Sequence, residues 1–422
     1  MNILHINTRQ TAGAALCAMR ISHALEEQGI DSRMLFAEGE TMPKGVSGAI
    51  AERDKSFWYS HPWLLRLKYL LARLPLWSLA DKEKMEVELQ RRNKLLEKPL
   101  YLHGPSSSYK NIAHHPLVEW ADIIHLHWVA NFIDYPTFFQ EVQKPIVWTL
   151  HDLYPAVGAL HFESSFYPVP ESLKAIDAYC RKVKRDSIMK AQNLNIVAIS
   201  EVMAEACNHS DVLQDFPVTL IHNGVDTNVF HPFDKQEARR ELGLPNDMKI
   251  LLFSANCLDD ENKGLGRLIK ALESLDTTNL MLVCMGLNNQ RISLYETRIP
   301  IIYSGYINDQ TKAAKYYSAA DYLIQCSYIE SFGQTLIEAM ACGTPVVSTN
   351  SGVAAELIQP FNGVLCDGFD SHAIVSGIKQ ALSNNYDATA IRQYIIDHYR
   401  YDIIAEQYIK LYKSIIASWQ TI

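Results

Sequence analysis

Glu330 and Glu338 stand with seven residues between them in the stretch Glu330-Ser331-Phe332-Gly333-Gln334-Thr335-Leu336-Ile337-Glu338. A carboxylate accepts several hydrogen bonds, so a pair of them suits the hydroxyls of a sugar. Gly333 marks a turn and Gly343 a helix stop, which predicts a helix from about residue 334 to 342. Glu330 then lies in the loop before that helix and Glu338 about one turn inside it, so the two serve different parts of one ligand. The amides of Phe332, Gly333, Gln334 and Thr335 sit at the helix N-terminus, a geometry that suits a diphosphate. Lys263-Gly264 follows an expected strand, where a lysine neutralises phosphate as a point charge. In the first half, Thr11-Ala12-Gly13-Ala14-Ala15 opens a helix after the first strand, and its small residues let the backbone approach a phosphate or sugar. His151-Asp152 ends another expected strand. His125 and His127 alternate on one strand face before Trp128, but a metal reading lacks further ligands, and no metal site is expected.

These residues need strands and helices to hold them. Branched apolar runs at 2–7, 32–36, 122–127, 145–150, 195–199 and 218–221 alternate with helix-length segments, and the rhythm resumes at 249–255, 280–285, 301–304, 322–326 and 345–348. Such alternation predicts parallel sheets with helices on both faces. One doubly wound sheet is complete in about five to seven strands, so two domains are expected, divided near 223–235. Ligands of such domains bind at the carboxyl ends of the strands, in the cleft between them. Two regions break the rhythm. Residues 51–115 read as helices inserted into the first domain, and 154–176 as a loop over the cleft.

Composition narrows the function classes. The chain has 422 residues, Lys+Arg 39 against Asp+Glu 47 and a net charge of −8, which argues against a nucleic-acid binder. Hydrophobic residues at 48% and charged residues at 20% exclude a disordered or fibrous chain. The N-terminal Met1-Asn2-Ile3-Leu4 has no basic region before it and reads as a strand rather than a signal peptide. The densest apolar segment, 63–77, is interrupted by Arg66, Lys68, Arg73 and Pro75, so no transmembrane helix is expected. The eight cysteines form no CxxC pair and read as small core residues of a protein in a reducing cytoplasm. Segment 56–77 carries bases among Phe57, Trp58, Tyr59, Trp63, Tyr69 and Trp77 with no acid. It reads either as a membrane-surface helix or as an inserted helix packed on the first domain.

The pattern E-S-F-G-x-T-x-x-E-A-M-A-x-G-x-P-V-V, from Glu330 to Val347, resembles the signature of the retaining nucleotide-sugar glycosyltransferases of family 4. The likeness continues at Ser351-Gly352-Val353-Ala354-Ala355-Glu356 and at Asn362-Gly363-Val364-Leu365. It implies the GT-B architecture: α/β, two Rossmann-like doubly wound domains facing a cleft. Residues 1–222, with the insertion near 51–115, form the acceptor-side domain, and 223–400 the nucleotide-sugar donor domain. Residues 401–422 form a helix packing back on the first domain.

Carried over, Glu330 resembles the glutamate on the donor-sugar hydroxyls and Glu338 the one that holds the ribose. Ser331, Phe332, Gly333, Gln334 and Thr335 supply main-chain contacts to sugar and diphosphate. Lys263 resembles the diphosphate lysine, Gly13 belongs to the N-terminal glycine loop, and His151 resembles the histidine beside the anomeric centre. One departure stands out. The family has Gly-Arg after the strand where this chain reads Ser254-Ala255-Asn256, so either Asn256, Arg267 or backbone amides replace the arginine, or donor affinity is weak. The resemblance further implies a UDP- or GDP-sugar donor, a saccharide or lipid-linked saccharide acceptor and no cofactor or metal. It also implies surface-polysaccharide synthesis in the cytoplasm, at the inner face of the membrane. Two rivals share the architecture: a nucleotide-sugar epimerase and a non-catalytic nucleotide-sugar binder.

Overall fold

Runs such as Ile3-Leu4-His5-Ile6 and Ile250-Leu251-Leu252-Phe253 carry apolar side chains on both sides of a strand, and each of those apolar residues is at most 1% exposed. A strand buried on both faces belongs in a parallel sheet covered by helices. The computed structural model describes residues 1–11, 13–52, 88–96, 100, 102–105, 109, 112–275, 279–288 and 298–420. The chain divides into two units. The first comprises Met1–Ile199, Met203–Ile221 and Ala405–Ile422, and the second Ser200–Val202 and His222–Ile404.

In the first unit the strands are β1 (Asn2–Asn7), β2 (Asp31–Phe36), β3 (Gly48–Ile50), β4 (Ile123–Leu126), β5 (Ile146–Leu150), β6 (Leu194–Ala198) and β7 (Val218–Leu220). They form one sheet in the order β3-β2-β1-β4-β5-β6-β7. In the second unit β8 (Lys249–Cys257), β9 (Leu280–Leu287), β10 (Ile301–Gly305), β11 (Tyr322–Gln325), β12 (Val346–Ser348) and β13 (Gly363–Leu365) are ordered β10-β9-β8-β11-β12-β13. All these pairings are parallel. The strand order reverses between β1 and β4 in one sheet and between β8 and β11 in the other, the point where an open α/β sheet leaves a crevice for ligand. The expected α/β class, two doubly wound units, is the observed one.

The eleven expected strands all form. β3 and β13 have no counterpart among them, because each is a three-residue sheet edge that opens on glycine and carries no long apolar run. The expected loop 154–176 differs more. A 3-10 turn at Glu171–Leu173 already leads into the helix Lys174–Ile188, and the stretch before it is anchored rather than loose. Tyr154 and Ala156 are buried, and Val157, Ala159 and Leu160 pack in a side cluster with Leu89, Leu173, Ile176 and Cys180. The fully buried Lys184 amino group donates to the carbonyls of Tyr154, Val157 and Gly158 and lies 3.3 Å from the centre of the Tyr154 ring. Three carbonyls held by one buried amino group, whose pKa burial lowers to about 7, satisfy backbone that a flexible loop would leave to water.

The helix Tyr401–Trp419 belongs to the first unit from Ala405 onward. Its Tyr408 hydroxyl lies 2.9 Å from Thr149 Oγ1 on β5, and its Tyr412 hydroxyl 2.6 Å from His125 Nδ1 on β4. All eight cysteines are free thiols, seven of them buried. Most of the expected insertion, 53–87 with its basic aromatic segment 56–77, lies outside the described residues, as does Ala12. Among the described residues no helix is long and apolar enough to cross a membrane.

Candidate active site

β8 and β11 are neighbours, Tyr322 pairing with Leu251 and Leu323 with Leu252, so the loops that follow them emerge side by side. Asn262 stitches the two loops together. Its Nδ2 donates to Ile329 O at 2.9 Å, its Oδ1 accepts from Ile329 N at 2.9 Å, and its carbonyl accepts from Tyr328 N at 3.0 Å. Gly264 has φ +81°, and a Cβ there would meet Cys326 O at 2.5 Å, so only glycine lets the β8 loop come this close.

The stitching brings Lys263 onto Glu330. Lys263 Nζ donates to Glu330 Oε1 at 2.6 Å, and Ser327 Oγ donates to the same oxygen at 2.6 Å. Burial works against the charge on Lys263, but the Glu330 carboxylate, its hydrogen bond and Asp260 outweigh it, so the pKa is raised and the ammonium stays charged. The side chains are 27% and 16% exposed, a partly open ion pair at the carboxyl ends of two central strands.

Gly333, at φ +101°, turns the chain into the helix Gln334–Ala341. The first amides of a helix have no partner within it, so those at this end are aimed away from the helix as hydrogen-bond donors. Phe332 itself is 3% exposed, its ring a core side chain, and its carbonyl accepts from Val353 N at 2.7 Å. Gln334 Nε2 donates to Gly224 O at 2.9 Å, and Thr335 Oγ1 lies 3.4 Å from Gln325 Oε1. One turn further, Glu338 Oε2 accepts from the Tyr317 hydroxyl at 3.1 Å. Burial first, and then the carboxylate beside it, push the Tyr317 pKa well up, so the phenol remains a donor. Tyr317 was not among the expected residues. It lies on the helix Gln310–Ala319, and nothing in its local spacing points to Glu338.

The missing arginine acquires a structural setting. Asn256 is exposed at the end of β8, where the register with β9 shifts between Ser254 and Cys257. Arg267 is committed elsewhere: its guanidinium donates to Glu261 O, Asn262 O and Cys326 O and stacks 3.5 Å from the centre of the Tyr328 ring. It braces the two loops.

In the first unit Gly13 is exposed and begins the helix Gly13–Glu27 directly after the β1 loop. His151 follows β5 and its Nε2 lies 3.0 Å from His127 Nδ1. Burial pushes its pKa down to about 4, partly opposed by Asp152, so it is neutral at neutral pH. Asp152 is itself enclosed. Burial raises its pKa, but His161, the Tyr154 amide and the Trp128 indole N–H more than reverse this, leaving a stable carboxylate. The spacing of residues 330–338 with Lys263 therefore gathers one site in the second unit, and His151 with Gly13 marks the strand ends of the first.

Comparison with known proteins agrees with this geometry. Residues 11–229 match the family described as Glycosyltransferase Family 4, and residues 234–398 match Glycosyl transferases group 1. An uncharacterised glycosyltransferase of Methanocaldococcus jannaschii is 27% identical over 316 residues, 70% of this chain and 76% of that protein. A D-inositol 3-phosphate glycosyltransferase of Acidothermus cellulolyticus is 24% identical over 72% of this chain and 69% of its own. Sucrose-phosphate synthase from Thermosynechococcus elongatus superposes with a TM-score of 0.70 at 19% identity, covering 99% of both chains. Anabaena HepE, solved with UDP and glucose, does so with a TM-score of 0.67 at 16% identity, over 98% of this chain and all of its own. With two doubly wound units and a family match across half its length, the chain belongs to glycosyltransferase family 4 and has the GT-B fold.

Proposed function

We propose that this glycosyltransferase moves a hexosyl group from a nucleotide-diphosphate sugar, a UDP- or GDP-sugar, to a saccharide or lipid-linked saccharide acceptor with retention of anomeric configuration. The observation that carries this reading is the Lys263–Glu330 pair beside the helix N-terminus at Gly333, in the loops that follow the two strands flanking the reversal of strand order. A lysine and helix amides stabilise the charge that develops on a departing diphosphate. Glu330 accepts sugar hydroxyls, and Glu338, held by Tyr317, accepts those of the ribose. The departing phosphate oxygen takes the acceptor's proton, so little side-chain acid-base work is needed, and His151 lines the sugar. No divalent metal or other cofactor takes part, and transfer persists in EDTA. The complex of HepE with UDP and glucose supports a UDP-sugar as the first donor to try. We place the reaction in the cytoplasm, in surface-polysaccharide synthesis.

Thermal shift against UDP, GDP, ADP, CDP and their sugar conjugates tests the donor site. A ligand bound by the native state alone adds about 2.7 kcal/mol at a hundredfold excess over its dissociation constant. One base is expected to raise the melting temperature, and Glu338→Ala to abolish that rise. No response to any nucleotide would remove the donor assignment. Tyr317→Phe is the finer variant: it removes the hydroxyl that orients the Glu338 carboxylate in the free protein, so nucleotide binding is expected to weaken about fivefold, on the order of 1 kcal/mol. Titration calorimetry measures it, and unchanged affinity would separate Glu338 from the ribose.

A second reading, a non-catalytic nucleotide-sugar binder, is favoured by the exposed Asn256 and the committed Arg267 where a phosphate arginine is expected. Binding of a nucleotide sugar with no turnover in the presence of varied acceptors would support it. The basic aromatic segment 56–77 supports contact with an anionic membrane surface. The protein is expected to co-float with liposomes containing an anionic lipid, and recovery in the bottom fraction would exclude that contact.

A further inference from the structure

Behind His151 lies a row of buried imidazoles. His5 on β1 pairs in register with His125 on β4, and His127 stands two residues further along. His5, His125 and His127 are 0%, 0% and 2% exposed. His5 Nδ1 lies 2.8 Å from His127 Nε2, and His127 Nδ1 lies 3.0 Å from His151 Nε2. The other end of the row is closed, since His5 Nε2 is buried without a hydrogen-bond partner. His125 stands apart: its Nε2 meets Thr149 Oγ1 at 2.8 Å and its Nδ1 meets the Tyr412 hydroxyl at 2.6 Å. The ring nitrogens of His5, His125 and His127 come within 4.8 Å of one another, yet both nitrogens of His125 are already engaged, so the cluster reads as hydrogen bonding rather than a metal centre.

A neutral imidazole has one N–H and one lone pair. Burial holds His5, His127 and His151 neutral at neutral pH, His5 down to about 3 and His151 down to about 4. His127 can donate through only one nitrogen. If it donates from Nδ1 to His151, it must accept at Nε2 from His5, and all three rings carry the proton on Nδ1. If it donates from Nε2, all three carry it on Nε2. Mixed arrangements put two protons or two lone pairs face to face. Switching between the two states requires a proton to enter or leave at His5 Nε2, which has no partner to exchange with.

We infer that His5 and His127 are positioning residues that lock His151 in one tautomer through this chain of imidazole hydrogen bonds, so that its Nδ1 presents one fixed sense, donor or acceptor, to a bound sugar. The part concerning sugar rests on the proposed place of His151; the lock itself does not. The tautomer a histidine adopts is set by the bond its other nitrogen makes, and here that bond is fixed by two further residues.

Ring ¹⁵N–¹H spectra of the full chain labelled at histidine test the lock, with signals assigned by their loss in His5→Phe, His127→Phe and His151→Phe. The three rings are expected to share one tautomer in the native protein at neutral pH, and His151 to shift toward a mixture in His127→Phe. His5→Phe serves the same purpose should His127→Phe not fold. Turnover of UDP-glucose, read as released UDP, should fall about tenfold in kcat in His127→Phe with little change in KM. The same substitution should add nothing in a His151→Ala background. Different tautomers among the three rings, an unchanged His151 in both variants, or stoichiometric metal in the purified protein would overturn the lock. Native turnover in His151→Ala would instead remove His151 from the site while the spectra still decide the lock.

Discussion

Lys263→Met is expected to lower kcat about 10²–10³-fold, with a much smaller change in donor KM, because a charge aimed at a leaving group acts mainly in the transition state. The Lys263 ammonium has one observed partner, Glu330 at 2.6 Å, and that carboxylate oxygen is shared with Ser327. Removing the cation also strands a carboxylate that is only 16% exposed, so a loss of melting temperature is expected alongside the loss of rate. The two effects separate in Lys263→Met/Glu330→Gln, which removes the stranded charge. Melting should recover in the double variant and turnover should not. Initial rates with the nucleotide sugar that stabilises the native protein provide the measurement. A loss below about tenfold would mean that the helix amides alone suffice to carry the diphosphate charge.

Acid should unfold the first unit well before it harms an ordinary protein. His5, His103, His125, His127 and His151 all have pKa values pushed down by burial, to about 3 for His5 and about 4 for His103 and His151. In the unfolded chain the same groups titrate near 6.5. Between about pH 6.5 and 4 the unfolded state therefore binds more protons than the folded one, and stability is lost as pH falls through that window. Each imidazole contributes about 1.4 kcal/mol per pH unit, so five give at most about 7 kcal/mol per unit, against a net stability of about 5–15 kcal/mol for a whole domain. The groups facing them are Asp152 beside His151 and His103, His161, Asn131 and Arg9 beside His103, and Thr149 and Tyr412 on His125. Calorimetry at about pH 7.5 and about pH 5.5 should show one transition moving down sharply. Equal melting at the two values would mean that the five rings become protonated within the fold. His5→Phe and His127→Phe should each flatten the dependence.

What the amino-acid order reveals here depends on distance along the chain. Glu330, Gly333 and Glu338 lie within one loop and one helix, so their relative placement follows from local geometry and can be read directly. Lys263 and Glu330 are 67 residues apart, and their meeting depends on β8 and β11 being neighbours, which a doubly wound order implies but a spacing count does not. His5 and His127 are 122 residues apart. The clue was present, a histidine on the first strand and two more on the strand that borders it at the reversal of order, but it gains meaning only once strand order is considered. Tyr317 offered no clue, because a tyrosine on an amphipathic helix is first of all a core residue. β3 escaped for a different reason: its Gly48-Ala49-Ile50 edge holds a single branched apolar residue and lies in no apolar run. The stretch after His151 is a loop as far as Pro170, as expected, but its aromatic and proline-rich composition gives no sign of the buried lysine that anchors its carbonyls.

The last helix has a consequence for how the protein is made. Tyr412 and Tyr408 complete the hydrogen bonding of His125 and Thr149 across 287 and 259 residues. A ribosome releases β4 and β5 long before it reaches those tyrosines, so the nascent first unit holds its central histidine without its final partner while the whole second unit is synthesised. During translation most of the second unit, His222–Ile404, can fold as it emerges, and the first waits for the helix Tyr401–Trp419. Chains arrested before residue 408 should thus engage chaperones and be cleared by proteases, which makes synthesis of the helix Tyr401–Trp419 a checkpoint on the unit that carries His151.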